Sequence, residues 1–73
     1  MTRIGEFLAK KSINRASISR KTKISPARLS ELSNKDSAKL RADELYLIAL
    51  AIEVNPGELL DFVCGDLKLE SEL

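Results

Sequence analysis

Ile18–Asn34 reads ISRKTKISPARLSELSN, and its middle carries the clearest local signal in the chain. Ser25 is placed to accept from first-turn amides, and Pro26 brings the fixed φ wanted at the first helical position. Leu29 and Leu32 then fall one turn apart, while Ala27, Arg28, Ser30, Glu31 and Ser33 are small or polar. So polar a helix docks by one side and turns the other outward. Upstream, Arg15 to Thr22 reads as another short helix, with Asn14 as its cap and Ile18 as its lone large apolar residue. Only Lys23, Ile24 and Ser25 join the two. A linker that short fits a helix-turn-helix, with helices crossing at roughly 90–120°.

Working outward, Thr2 to Lys11 places Ile4, Phe7 and Leu8 at helical spacing. Ile13 sits where a hydrophobic staple would pack. Residues 34–41 read as a polar loop. Ala42 to Glu53 contains the apolar run Leu45–Ile52 and predicts a central helix buried nearly all round. Asn55, Pro56 and Glu58 repeat the capping grammar, with Glu58 placed to complete a capping box. Leu59, Leu60, Phe62 and Val63 supply apolar surface to this last helix, and Gly65 can end it. The expectation is an all-α chain of five short helices over residues 1–65. Residues 66–73 form a short acidic tail, read as a short strand or a frayed end.

The chain's 73 residues, 44% hydrophobic and 32% charged, make one small domain. A domain this short buries only about 60% of its unfolded surface, and pairing with a partner is a common remedy. One Cys and no His exclude a disulfide framework, a zinc finger and a His-based triad. Cys64 lacks a neighbouring base and reads as a buried structural thiol. Asp43 and Glu44 suit a helix N-terminus without any metal. No catalytic group, metal or cofactor is therefore expected, and the chain is not read as an enzyme. Leu45–Ile52 is far short of the roughly 20 residues that cross a bilayer. No signal peptide is expected, and the expected location is cytoplasmic.

The net charge of +1 hides a sharp asymmetry. Residues 1–41 hold eleven Lys/Arg and three acids, a net +8, while residues 42–73 hold one Lys and eight acids, a net −7. That pattern suggests a basic face for a polyanion and an acidic face turned away from it. The competing use is attraction between the two halves within the fold.

The ordered run of these pieces over about residues 4–60 resembles the Xre/Cro family of helix-turn-helix DNA-binding domains. Ile4–Asn14 is similar to that family's first helix and capped entry to the second. Ile18–Ser25 resembles its second helix and turn, Leu29–Asn34 its recognition helix, and Leu45–Leu60 its paired final helices. The resemblance implies a compact five-helix lambda-repressor-like domain, with the motif at helices two and three. There are departures. Arg15 stands where the family often has Gln, and Lys23 and Lys35 where it often has Gly. Asn34 tolerates unusual backbone geometry at the second of those turns. Leu8 and Ser33 occupy the positions of a frequent Arg–Glu pair, which reads as an apolar substitute.

The resemblance implies double-stranded DNA as partner, with recognition helix 26–33 in the major groove. Pro26, Ala27, Arg28 and Glu31 are then the base-contacting candidates. Arg28 suits guanine, with a phosphate contact or a solvated charge as the competing use; Glu31 suits either cytosine or a pair with Arg28 or a nearby Lys, and for Pro26 a structural role is preferred. Phosphate contacts fall to Arg15, Arg20, Lys21, Lys23, Asn34, Lys35, Lys39 and Arg41, with ordinary solvated charge as the competing use. A homodimer is implied through the last helix, with Leu59, Phe62, Val63 and Leu67 as candidates; core packing competes and is preferred for Leu59. The function implied is a transcriptional regulator, of repressor or autoregulator type. The alternative is an antitoxin-type module that neutralises a basic toxin partner, with DNA binding secondary. Non-specific DNA binding is a third reading, since Pro26 and Ala27 offer only apolar contact.

Overall fold

Five helices succeed one another in the computed structural model, which describes residues 1–70. They are α1 (Arg3–Lys10), α2 (Arg15–Thr22), α3 (Pro26–Asn34), α4 (Ala42–Ala51) and α5 (Pro56–Cys64). Each start has a chemical reason. The Thr2 side chain accepts from Gly5 N, Asn14 from Ala16 and Ser17, Ser25 from Arg28, and Asn55 from Gly57 and Glu58. The reach-back of a third-position glutamate expected at α5 is found at α4 instead, where the Glu44 carboxylate accepts from the Arg41 backbone N–H at 2.9 Å, while Arg41 has no side-chain acceptor to return the bond.

Three connections use left-handed backbone at non-glycine residues: Ser12 (φ 55°), Lys23 (φ 67°) and Glu53 (φ 60°). Lys23 thus takes the conformation that glycine usually supplies. Lys35 does not need it, because its backbone is extended.

The core gathers Ile4, Phe7, Leu8, Ile18, Leu29, Leu32, Leu45, Ile48, Ala49 and Leu59. Helix packing runs α1 on α3 and α5, α2 on α3 and α4, and α4 on α5. α4 packs closely on α2 and α5, and α3 reaches its start through the Arg28 side chain, but one arc of it stays uncovered. Leu45, Ile48 and Ala49 point inward, but Tyr46, Leu47 and Leu50 are exposed. The expectation of a helix buried all round is therefore corrected.

At the far end of α3 the backbones of two elements meet. Thr2 N donates to Ser33 O at 2.9 Å, and Thr2 Oγ1 donates to Leu32 O at 2.6 Å. Gly5 lies against the Ser33 carbonyl oxygen, and a methyl group there would collide with it. Leu8 and Ser33 are both buried, and Ser33 Oγ has no hydrogen-bond partner.

Cys64 is half-buried, not buried. No strand forms among the described residues of the tail; residues 71–73 of the expected tail lie outside them. No helix of the described residues is long and apolar enough to cross a membrane.

Candidate nucleic-acid interface

The turn between α2 and α3 is tied by three hydrogen bonds. Ser19 Oγ donates to Ile24 O at 2.7 Å, Thr22 Oγ1 donates to Ile18 O at 2.8 Å, and Ile24 N donates to Thr22 Oγ1 at 3.1 Å. Buried Ile18, Leu29 and Leu32 anchor the two helices from beneath. What remains outside on α3 is a polar strip. Ser25, Ala27, Arg28, Ser30, Glu31, Asn34 and Lys35 line one shallow concavity along it.

Pro26, Ala27, Ser30 and Asn34 are exposed on this strip. Ser30 was not among the base-contacting candidates. The spacing of 27, 30, 31 and 34 is the signal for it, since positions three and four apart share a helix face. Asn34 Nδ2 donates to Ser30 O at 3.0 Å, which lays the amide along the helix.

Arg28 behaves differently from the expectation. Nε and Nη2 donate to the two carboxylate oxygens of Glu44 at 2.9 and 3.0 Å. Nη1 donates to Glu31 Oε1 at 3.0 Å, and Nη2 also donates to Lys39 O at 2.8 Å. Four of its five N–H groups are used inside the protein. Arg28, the guanine candidate, is in this structure a clamp joining α3, the 35–41 loop and the start of α4. Glu31 forms its side of the pair, as the i,i+3 spacing allows, while keeping part of its carboxylate outward.

Charge and protonation follow from this geometry. The Arg28 guanidinium holds the Glu44 carboxyl below the usual glutamate range, against the upward push of burial. Glu44 first, and Glu31 after it, push Arg28 further above its ordinary value.

Among the described residues, Arg15, Arg20, Lys21, Lys23, Lys35 and Lys39 form no ion pair. Arg41 pairs with Asp43 at 3.0 Å in an exposed contact of little energetic weight. Lys21 borders a separate recess with Asn14, Ile52 and Glu53, between the start of α2 and the end of α4. The basic excess of the first half is partly used elsewhere. Arg3 and Lys10 lie over the Phe62 ring, and Lys11 over Phe7. Arg3–Asp66 and Arg28–Glu44 join the two oppositely charged halves, so the internal attraction also operates.

A polar outer strip on a helix that follows a tight, hydrogen-bonded turn, flanked by unpaired cations, is the arrangement of a groove-reading motif. Residues 3–65 match the family described as the Cro/C1-type HTH DNA-binding domain. The chain belongs to that family. No match was found among curated proteins or among solved structures. In this Cro/C1-type domain α2 and α3 are the helix-turn-helix.

The expected dimer surface on α5 is largely spent within the Cro/C1-type domain itself. Leu59 is 0% exposed and belongs to the core. Phe62 stacks edge-on against Phe7, with centroids 5.1 Å apart, beneath its two cations. Val63 packs partly on the core, and only Leu67 stands well out at 73% exposure. The exposed apolar groups that sequence reasoning missed are Tyr46, Leu47 and Leu50 of α4 and Leu60 of α5.

Proposed function

We propose that this Cro/C1-type domain is a sequence-specific regulator of transcription that binds double-stranded DNA as a two-fold dimer in the cytoplasm and represses its target promoter. The observation that carries this reading is the uncovered outer strip of α3, beside cations that no acid neutralises. In the proposed complex α3 lies in the major groove. Ala27 and Pro26 offer apolar contact to a thymine methyl, and Ser30 and the free edge of Glu31 offer hydrogen bonds to bases. Arg15, Arg20, Lys21, Lys23, Lys35, Lys39, Arg41 and the Asn34 amide hold the phosphates. Arg28 acts behind the surface by fixing the loop that carries Lys39. Two recognition helices about 34 Å apart would match a palindromic site, joined through Leu67 and the outer edges of Phe62 and Val63.

Fluorescence anisotropy on the chain's own promoter DNA, against a scrambled duplex of equal length, tests this. Preference for the promoter, with affinity falling by about 10³–10⁵ from 50 to 200 mM salt, is the expected result. Lys39→Ala should weaken both duplexes alike and reduce the salt slope by about one. Equal weak binding to both duplexes rejects specific regulation.

The apolar arc left open on α4 favours a second reading alongside the first. In it the domain also engages another protein, as an antitoxin does a toxin, and DNA binding serves autoregulation.

A further inference from the structure

The outward arc of α4 has no role in the DNA-binding reading. Tyr46, Leu47 and Leu50 are 54, 39 and 55% exposed. At about 100° per residue they fall, with Asp43, within roughly a third of the helix circumference. They form one stripe and not scattered surface residues. Tyr46 is also the chain's single tyrosine, and there is no tryptophan.

The charges that the packed pair α4 and α5 carry are of one sign, although Arg41 precedes α4 and Lys21 borders Glu53 at its end. From residue 42 to residue 65 the chain has Asp43, Glu44, Glu53, Glu58 and Asp61, and no Lys or Arg. Glu44 is taken by Arg28, and Asp43 by Arg41. Glu53, Glu58 and Asp61 are exposed and form no ion pair among the described residues. An apolar stripe in an acidic field calls for a partner that is apolar at its centre and basic at its rim.

A second copy fits poorly. A two-fold contact through α4 would set acid against acid. A head-to-tail contact would cover the basic motif with the acidic half and leave an open chain of copies. We propose that the α4 face docks a cationic amphipathic helix of a different protein, with apolar residues at i, i+3, i+4 and i+7 and Lys or Arg flanking them. This deepens the protein-interaction reading above and is independent of DNA binding.

The probe is a fluorescein-labelled peptide of roughly five helical turns, with leucines at that spacing and lysines elsewhere. A scrambled peptide of the same composition is the control. Titration into the full chain should give saturable anisotropy and a change in the Tyr46 emission, which reports contact at the stripe. Leu47→Ser combined with Leu50→Ser should weaken the peptide by at least about tenfold. Glu53→Gln with Asp61→Asn should weaken it too and flatten its salt dependence. Both variants replace exposed residues, so unchanged thermal melts and unchanged anisotropy on promoter DNA are expected. That keeps failure here separate from failure of the DNA reading. Equal binding of the scrambled peptide, or of the leucine variant, overturns the proposal by reducing it to bulk charge. A wild-type chain that sediments as a dimer, and becomes monomeric in the leucine variant, overturns it in favour of a second copy.

Discussion

The two ends of α3 are held by opposite kinds of chemistry. Near its start, Arg28 is gripped by Glu44, Glu31 and the Lys39 carbonyl, all through charged or charge-assisted hydrogen bonds. At its finish, the backbone of Thr2 bonds to Leu32 and Ser33, and Gly5 lets α1 approach without a side chain between. The first attachment depends on protonation, and the second on steric fit. A helix fixed in both ways keeps its orientation while its outer side stays exposed. Each attachment can be broken separately.

The largest effect is expected at the steric end. Gly5→Ala drives a methyl group into the Ser33 carbonyl and should cost about 3 kcal/mol, since the packed backbones must separate. For a domain this small that is a Tm drop of more than about 10 °C, read by circular dichroism, and it should not depend on pH. A loss below about 1 kcal/mol would show that α1 can slide away freely.

Next comes the charged end. Glu44→Gln keeps the shape but removes the charge, and should cost about 1.5 kcal/mol at neutral pH. The sign of its pH dependence follows from the lowered Glu44 pKa. The folded state binds this proton less readily than the unfolded chain. The stabilisation is therefore complete above the ordinary glutamate range and is lost as pH falls through the lower folded value. Melts of the wild type should lose stability on that acid limb, while melts of Glu44→Gln should show a shallower one. Parallel pH profiles for the two proteins would remove Glu44 from the clamp.

Thr2→Ala removes a cap of α1 and one tie to α3 together, and should cost about 1 kcal/mol in a denaturant melt. Ser33→Ala should act in the other direction. Its buried hydroxyl has no partner, so deleting it should leave stability unchanged or raise it by up to about 1 kcal/mol. A clear destabilisation would mean that the hydroxyl is satisfied in solution, by water for example.

Much of the architecture was legible along the chain, because its signals are local. Ser25-Pro26 and Asn55-Pro56 mark helix starts by chemistry that reaches no further than three residues. The apolar spacing of Ile4, Phe7 and Leu8, and of Leu29 and Leu32, identifies inward faces without any knowledge of the neighbour. The helix-turn-helix followed from three linker residues.

What the chain could not announce was how far-apart residues share one another. Arg28 and Glu44 are sixteen positions apart, and only the packing of the 35–41 loop brings them together. Sequence reading therefore left Arg28 free for a base. Phe62 looked available for a partner until Phe7, Arg3 and Lys10 were found around it. The run Leu45–Ile52 predicted burial on every side, yet hydrophobicity states what a residue prefers and not how many neighbours exist to satisfy it. Close packing on α4 comes from α2 and α5, and the arc turned away from them faces outward. Local composition thus specified the helices and the motif, since capping and periodicity are short-range. Which cation is free to meet DNA, and which leucine is free to meet a partner, depends on contacts between segments that only assemble in three dimensions.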